Sequence, residues 1–334
     1  MAIYKIPDSM RVGPPVLRVR NIDTAMAFYE NSLGLQVNRS YKDNSPGGGY
    51  YDDVNPIYEV GFKHKFSSSF SFSSSSSFSF SYEPLLILKH DPNAKKPSLN
   101  SRAAGAGLFH FAILVPDRKS LASTYLAVKN SGIQYDGFAD HLVSESLYLR
   151  DPEDNGIEIY RDRPASEWPR DSKGHIIMDT LALDLNSLLA EMNNGNKVEQ
   201  TNNAKAFPTG ARIGHIHLRV TNLERSIKFY HEKIGLDITV DWSSMGAAFL
   251  SAGGRYHHHI GMNTWHSLNG EAHRSGETGL EYFTIIIPDR SFVKTLALRI
   301  QQHSSTITNS KQASENQLLL VSDPDGIQFL IGSE

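Results

Sequence analysis

The feature that most constrains the fold of this chain is that its sequence repeats. Residues 13–35, GPPVLRVRNIDTAMAFYENSLGL, align without a gap with residues 214–236, GHIHLRVTNLERSIKFYHEKIGL. Each copy starts with alternating apolar residues, passes through an Asn-containing turn and continues with apolar residues at helical spacing. This pattern predicts a strand, a turn and a helix that ends at a glycine. Chance rarely preserves register over such a length, so the repeat indicates a duplicated structural unit.

A second repeat pairs residues 107–118, GLFHFAILVPDR, with residues 279–290, GLEYFTIIIPDR. Helices are predicted next, over 120–131 and 291–303, and each unit closes with an Asp-Pro turn and a last strand, DPEDNGIEIY or DPDGIQFLI. The chain therefore contains four units in two tandem pairs, at about 12–95, 105–163, 211–266 and 278–332. A helix over Met178–Met192 and a polar linker are expected between the pairs. The Ser/Phe-rich run 66–82 is predicted to be an insertion and receives no function.

Composition limits the chemistry that these units can perform. The chain has no cysteine, which excludes disulfides, thiolate nucleophiles and zinc–thiolate sites. Any metal site must therefore use carboxylates and some of the 14 histidines. A net charge of −3 without a basic block disfavours a nucleic-acid partner. Without a long apolar run or a secretory signal, no membrane partner and a cytoplasmic location are expected.

The opening motif LRVxNLxxSxxFYxxxxGL and the closing DPEDNGIEIY resemble the vicinal oxygen chelate superfamily, which includes glyoxalases, bleomycin-resistance proteins and extradiol dioxygenases. The longer stretches DHLVSESLYLRDPEDNGIEIYRDRP and YHHHIGMNTW resemble its catechol 2,3-dioxygenase-like branch. The resemblance implies an α+β fold of four βαβββ modules, whose curled sheets form open barrels around a metal cavity. It predicts one domain over 1–165, a helix and linker over 166–210, and a second domain over 211–334.

The resemblance also implies that metal ligands come from the first and the last strand of these modules. The first-strand positions in chain order are Pro14, His110, His215 and Tyr282, and the last-strand positions of the second and fourth modules are Glu158 and Gln328. Only the second and third modules together supply two histidines and a carboxylate. We therefore predict that His110, Glu158 and His215 bind the metal in a cavity between the middle modules. Tandem pairing is the conventional alternative, and His217 competes with His215.

The same resemblance suggests residues that handle protons and substrate. His258 stands two residues before an apolar-small-apolar stretch, as an acid–base histidine does in related enzymes. Since neighbours on a strand alternate faces, His257 and His259 should point the opposite way. The remaining candidates share the same two motifs: Tyr148 and His141 as catalytic groups, and Asn263 and Trp265 as substrate-binding residues.

Two histidines and one carboxylate form the facial triad of non-haem Fe(II) oxygenases. The predicted function is therefore extradiol cleavage of a catechol-like or hydroquinone-like aromatic with O₂, using Fe(II) or alternatively Mn(II). A glyoxalase-like isomerase or lyase with Zn or Ni is a second interpretation, although such sites generally use two carboxylates. A non-catalytic small-molecule-binding protein is a third. Association into homo-oligomers is expected from the behaviour of such barrels.

Overall fold

The computed structural model describes residues 4–40, 57–62, 84–97, 105–192, 207–303 and 319–333. The Ser/Phe-rich run 66–82 lies outside these ranges. The strands are β1 Arg11–Val19, β2 Gln36–Ser40, β3 Ile57–Gly61, β4 Leu86–His90, β5 Gly107–Leu114, β6 Tyr135–Asp140, β7 Ser144–Arg150, β8 Gly156–Asp162, β9 Arg212–Arg219, β10 Asp237–Trp242, β11 Ala247–Ser251, β12 Ile260–Asn263, β13 Gly279–Ile286, β14 Leu319–Ser322 and β15 Gln328–Gly332. The α-helices are α1 Ile22–Ala27, α2 Arg118–Asn130, α3 Leu185–Ala190, α4 Leu223–Lys228 and α5 Arg290–His303.

The repeated sequence motifs fold into repeated local structure. The asparagine of the first repeat is a helix N-cap in both copies, since Asn21 accepts a hydrogen bond from the Thr24 backbone N–H and Asn222 from that of Arg225. The helix of the third module ends in a π-helical turn at Gly235, whose φ of 94° suits glycine. A Cβ atom at this position would lie 2.8 Å from a backbone carbonyl oxygen.

The strands form two curled sheets, and each sheet joins modules from both halves of the chain. One sheet has the order β14-β15-β13-β1-β4-β3-β2 and combines the first and fourth modules. The other has the order β10-β11-β12-β9-β5-β8-β7-β6 and combines the second and third. The first strands of the partnered modules pair antiparallel, β1 with β13 and β5 with β9. The predicted α+β fold class and the pairing of the middle modules are thus confirmed, whereas the domain boundaries at 165 and 211 stay a prediction.

The helix that we predicted over Met178–Met192 is much shorter in the structure. Only α3, Leu185–Ala190, is helical, and it starts where Asp184 caps the backbone N–H of Ser187. The residues before it are held in an extended form, because Leu181 exchanges two backbone hydrogen bonds with Asp140 at the edge of the second sheet. The prediction was wrong here because edge-strand hydrogen bonds and a cap outweighed the apolar spacing.

The recurring Phe-Tyr and Asp-Pro motifs connect the two modules of each tandem pair. The Tyr29 hydroxyl of the first module donates a hydrogen bond to Asp151 of the second (2.9 Å), and Tyr230 of the third module donates one to Asp323 of the fourth (3.1 Å). The other oxygen of each aspartate accepts backbone N–H bonds within its own turn. A buried tyrosine–aspartate hydrogen bond therefore joins the two modules of each tandem pair, although their strands lie in different sheets.

Asp323, in one of these tyrosine–aspartate pairs, should make the free energy of unfolding depend on pH. Burial, and then the charge of Asp325, raises the pKa of Asp323 from 3.8 to about 7. The folded protein therefore binds a proton that the unfolded chain has released, and the stability from Asp323 is present below pH 4 and lost as pH rises through 7. We expect Asp323→Asn to make the pH dependence shallower by at most about 1.4 kcal/mol per pH unit, measured by urea unfolding between pH 4 and 8. An unchanged slope would contradict this, and Asp136→Asn, at an exposed ion pair, is the control.

Apolar residues from all four modules form one large core. In the part of the chain that the structure describes, no helix is long and apolar enough to cross a membrane.

Candidate functional site

The three predicted metal ligands meet on three adjacent strands of the second sheet. His110 lies on the central strand β5, with Glu158 on β8 to one side and His215 on β9 to the other. Glu158 and His215 both lie beside Ala112, which is two residues from His110 and therefore on the same face of β5. One ligand atom from each of the three residues lies within 4.8 Å of the others, and all three side chains are buried.

The carboxylate of Glu158 is at the centre of this cluster. Its Oε2 lies 2.9 Å from His110 Nε2 and 3.1 Å from His215 Nε2, and its Oε1 accepts a 2.6 Å hydrogen bond from the Ser146 hydroxyl. Burial by itself would raise the pKa of Glu158, but the two histidines outweigh it and hold that pKa well below its usual range. Burial lowers the pKa of His215 to about 4. The cluster at neutral pH is therefore an ionised carboxylate beside a neutral imidazole, as metal binding requires.

The cluster has the dimensions of one face of a metal coordination sphere. Bonds of about 2.1 Å from a metal to nitrogen and oxygen ligands place neighbouring ligands about 3 Å apart when they are at right angles, close to the two distances from Glu158 Oε2. His110 Nε2 is buried and, despite its distance to Glu158, lacks hydrogen-bond geometry to any described residue. A buried ring nitrogen without a partner is costly unless something else binds it. The residues present thus fit a divalent cation.

A glycine next to His215 leaves room for a tyrosine side chain that extends from β8. A Cβ atom at Gly214 would lie 1.8 Å from the hydroxyl oxygen of Tyr160, whose side chain is fully buried and hydrogen-bonded to the Tyr256 hydroxyl at 2.7 Å. The ring of Tyr160 also contacts that of His215, with centroids 4.9 Å apart. Gly214 therefore sets the position of a candidate ligand through the backbone.

Gly214→Ala should destabilise the fold by about 2–3 kcal/mol, because neither the tyrosine nor the strand can yield easily. It should also weaken metal binding, since His215 would move with the strand. Urea unfolding and equilibrium dialysis with Fe(II) measure the two effects. Gly137→Ala on β6 of the same sheet is the control, because nothing lies within 4 Å of its added Cβ. Equal losses of stability and of metal affinity in the two variants would show that the contact between residue 214 and Tyr160 does not limit either property.

The structure corrects the expected directions of the triple histidine. Residues 256–259 form bends before β12 and not a strand, so neighbouring side chains do not alternate. His257 and His258 are both buried, with their Nδ1 atoms 2.8 Å apart. Their rings lie 6.1 Å and 4.1 Å from that of His215, measured between centroids. His257 therefore points towards the site beside His258, contrary to our prediction.

The hydrogen bonds of this pair determine which nitrogen of His258 can accept a proton. His257 Nε2 lies 2.8 Å from a carboxylate oxygen of Asp162, so this nitrogen carries the hydrogen. In the neutral ring, His257 Nδ1 then accepts a hydrogen bond from Nδ1–H of His258. The remaining nitrogen of a neutral His258, Nε2, is left with its lone pair, and it is buried without a partner among the described residues. Burial, and then the neighbouring His215 and His257, lower the pKa of His258 well below its usual value.

Tyr148 and His141, the other two predicted catalytic residues, are hydrogen-bonded to each other. The Tyr148 hydroxyl lies 2.7 Å from His141 Nε2, and His141 Nδ1 lies 2.8 Å from the carbonyl oxygen of Asp179. Nδ1 is therefore the donor of a neutral His141, and Nε2 accepts from the tyrosine. The Tyr148 ring lies 5.7 Å from that of His110, and burial followed by the charge of Glu158 raises the pKa of Tyr148 well above its usual range.

The two predicted substrate-binding residues lie near His217. Asn263 is fully buried, and its side-chain amide lies 3.0 Å from Nε2 of His217, the residue that competes with His215 as a ligand. This contact engages the Nε2 nitrogen of His217. Trp265 is 48% exposed and packs against His217 and Phe109, with ring centroids 6.0 and 5.5 Å away. Asn263 therefore holds His217, and Trp265 lies at the rim.

Sequence reasoning missed Ser146, Asp162 and Phe109. A usable signal existed for Asp162, because Glu158, Tyr160 and Asp162 alternate along β8 and share one face. Phe109 carried no such signal, since it lies at a bulge in the pairing of β5 with β9, where its ring contacts that of His110.

Comparisons with known proteins agree with this architecture. The sequence profile of the Glyoxalase/Bleomycin resistance protein/Dioxygenase superfamily matches residues 11–159 and 212–331. The chain is 40% identical over 308 residues to "Catechol-2,3-dioxygenase" of Bacillus subtilis (strain 168), an alignment that covers 92% of this chain and 93% of that protein.

Solved structures share the fold at low identity. One from Bacillus subtilis subsp. subtilis str. 168 has a TM-score of 0.61 at 11% identity and covers 99% of this chain and 86% of that one. Glyoxalase I from Zea mays has a TM-score of 0.51 at 16% identity, with 97% and 92% covered. The repeats, the module pairing and these matches lead to one conclusion: the chain belongs to the glyoxalase/bleomycin resistance protein/dioxygenase superfamily, in the group that contains the Bacillus subtilis catechol-2,3-dioxygenase.

Proposed function

We propose that this protein is an Fe(II)-dependent extradiol dioxygenase that cleaves a catechol-like aromatic ring with O₂. The observation that carries the proposal is the buried cluster of His110, Glu158 and His215, with candidate proton-handling groups on both sides of it. The 40% identity to a catechol-2,3-dioxygenase over most of both chains supports the same reaction class.

In this proposal, His110, Glu158 and His215 hold the metal. The bound metal would supply Lewis acidity for the substrate oxygens and electrons for O₂. Two imidazoles and one carboxylate leave open positions for substrate and O₂. Manganese has similar ligand preferences and is the alternative metal.

His258 would act on the proton of one substrate hydroxyl. Its Nε2 has a lone pair in the neutral ring, and its ring lies next to that of His215. When Nε2 accepts a proton, the positive charge can be shared with His257 and the carboxylate of Asp162 through hydrogen bonds of 2.8 Å each. Asp162 thus acts through His257 as a positioning residue.

Tyr148 and His141 would orient the substrate on the opposite flank. Because its pKa is raised, Tyr148 stays protonated, donates to His141 and can accept a hydrogen bond from a substrate hydroxyl. A glyoxalase-like isomerase is less well supported, since the ligand cluster of the described residues contains one carboxylate and not two.

The proposal is tested by anaerobic purification, reconstitution with Fe(II) and a spectrophotometric screen of catechols and hydroquinones in air. We expect close to one iron per chain and a yellow ring-fission product from at least one diol. Iron binding without any ring fission would reject the dioxygenase. Activity with Zn or Ni but not with Fe(II) would favour the isomerase. The cytoplasmic location and homo-oligomer formation remain predictions.

A further inference from the structure

A partly buried arginine at the outer end of the site has no counterion among the described residues. Arg219 ends β9 on the same face as His215 and His217, because side chains alternate along a strand. Its Nε is enclosed and has no hydrogen-bond partner in the described part of the chain. The neighbouring charge that acts on Arg219 is another cation, Arg150, and burial together with this repulsion lowers the pKa of Arg219. Enclosed arginines are normally paired with an anion.

The equivalent arginine in the other sheet shows what such a residue ordinarily binds. Arg18 occupies the same place in the first repeat as Arg219 in the second, within Leu-Arg-Val. Its guanidinium binds Glu281 through Nε (2.9 Å) and Nη2 (2.6 Å), and Asp91 through Nη1 (2.5 Å). Lys89 also binds Glu281, at 3.0 Å. Two cations and two carboxylates thus balance each other in the sheet of the first and fourth modules.

Strand register identifies the residues that replace these carboxylates around Arg219. Arg18 lies opposite the first residue of β13, and Arg219 opposite the first residue of β5. Two residues further along, these strands carry Glu281 and Phe109, respectively. The first carboxylate is therefore replaced by a phenyl ring.

The second carboxylate is replaced in the same way. Arg18 lies beside Lys89 on β4, and Arg219 lies beside Asn263 on β12. Two residues further along are Asp91 and Trp265. Both anionic partners, and one competing cation, are thus absent from the equivalent positions around Arg219.

The aromatic replacements lie next to the metal cluster. The rings of Phe109 and Trp265 contact each other and both contact His217, with centroids 5.1 and 6.0 Å from the imidazole. His217 in turn lies 4.8 Å from the ring of His110. The rings of Trp265, Phe109 and His217 therefore form an aromatic wall that extends from the partly exposed Trp265 to the candidate ligands. Four residues of strand separate Arg219 from His215, about 13 Å, which an extended arginine and a substituted benzene ring can bridge.

We propose that Arg219 binds a carboxylate on the substrate, so that the preferred substrate is an aromatic diol with an anionic substituent away from its hydroxyls. This inference rests on the proposed function for the position of the diol. The aromatic wall would contact the ring, and the substituent would supply the anion that Glu281 and Asp91 supply to Arg18. Arginine suits this role because its planar guanidinium binds a carboxylate through two parallel hydrogen bonds.

The test compares an anionic and a neutral diol of similar size, 3,4-dihydroxybenzoate and 4-methylcatechol. Binding is measured by calorimetry on the Fe(II)-loaded protein without oxygen, so that no turnover occurs. Arg219→Met should weaken binding of the carboxylate compound by about 10- to 100-fold, the range for hydrogen bonds between charged groups. Binding of 4-methylcatechol should change less than about threefold, which also shows that the variant is folded. Arg219→Lys should recover part of the loss.

Arg212→Met is the matched control, because this exposed arginine lies at the other end of β9 and its removal changes the net charge equally. It should leave the preference for the carboxylate compound intact. Equal weakening of both diols by Arg219→Met, or a wild-type protein that binds both diols equally, would overturn the inference. Admission of air then tests the proposed function separately. Selective binding without ring fission would reject the dioxygenase and leave the role of Arg219 in place.

Discussion

Glu158→Gln should abolish activity and lower the affinity for Fe(II) by more than about 100-fold, since even residues that only support metal ligands contribute 10- to 100-fold. The amide has the same shape as the carboxylate and can still accept the hydrogen bond from Ser146. It lacks the negative charge that lies 2.9 and 3.1 Å from the two imidazole nitrogens. Metal analysis after reconstitution, together with the rise in melting temperature on adding Fe(II), measures the loss.

The control for this substitution is Glu59→Gln, which makes the same chemical change in the sheet of the first and fourth modules. Glu59 is partly buried on β3, and burial raises its pKa. We expect this variant to keep both its iron and its activity. A Glu158→Gln protein that retained wild-type iron content and thermal shift would exclude Glu158 as a ligand.

His258→Asn should lower kcat by about 10²- to 10⁴-fold, the usual contribution of a general acid–base group, while iron content stays unchanged. The asparagine amide can replace Nδ1–H as a donor to His257, but it offers nothing in place of Nε2. The variant therefore separates proton transfer from the packing of the histidine pair. Steady-state ring-fission rates and metal analysis on the same preparation measure both quantities.

His175→Asn is the matched control, because this exposed histidine pairs only with Asp171 among the described residues. It should have wild-type activity. If His258→Asn retained more than a tenth of the wild-type kcat, another residue would have to be the proton acceptor. Loss of iron from this variant would instead indicate that His258 supports His215 structurally.

Much of the site could be predicted from sequence because its ligands lie on repeated strands. Periodicity along a strand and the alignment of one repeat with another are local properties, and they specify which side chains share a face. The family resemblance places the ligands on first and last strands, and the repeat alignment then selects His110, Glu158 and His215. The pairing of the middle modules could be predicted in turn, since neither tandem half had a complete set of ligands. Gly-ended helices and Asp-Pro turns were predictable for the same reason.

The tertiary structure decided those features that depend on contacts between distant segments. The bend at 256–259 turns His257 towards His258, and Asp162, 95 residues earlier, then determines the tautomer of the pair. Backbone hydrogen bonds at the sheet edge keep the residues before α3 extended, so only Leu185–Ala190 of the segment predicted as a helix, 178–192, is helical. Arg18 and Arg219 occupy the same motif, yet aromatic residues stand around Arg219 at the strand positions that hold the two carboxylate partners of Arg18.

The repeated sequence by itself determined the modules, because they follow from local periodicity and register. The family resemblance then identified the candidate ligands on the strands of these modules. Which charges are paired, which nitrogen carries a proton and which arginine has no counterion among the described residues depend on the strands that each module has beside it. Those neighbours come from the other half of the chain, and their side chains set the free energy of every buried charge. Only the folded structure therefore decided how the candidate ligands are surrounded, and it is the basis for the proposed role of Arg219.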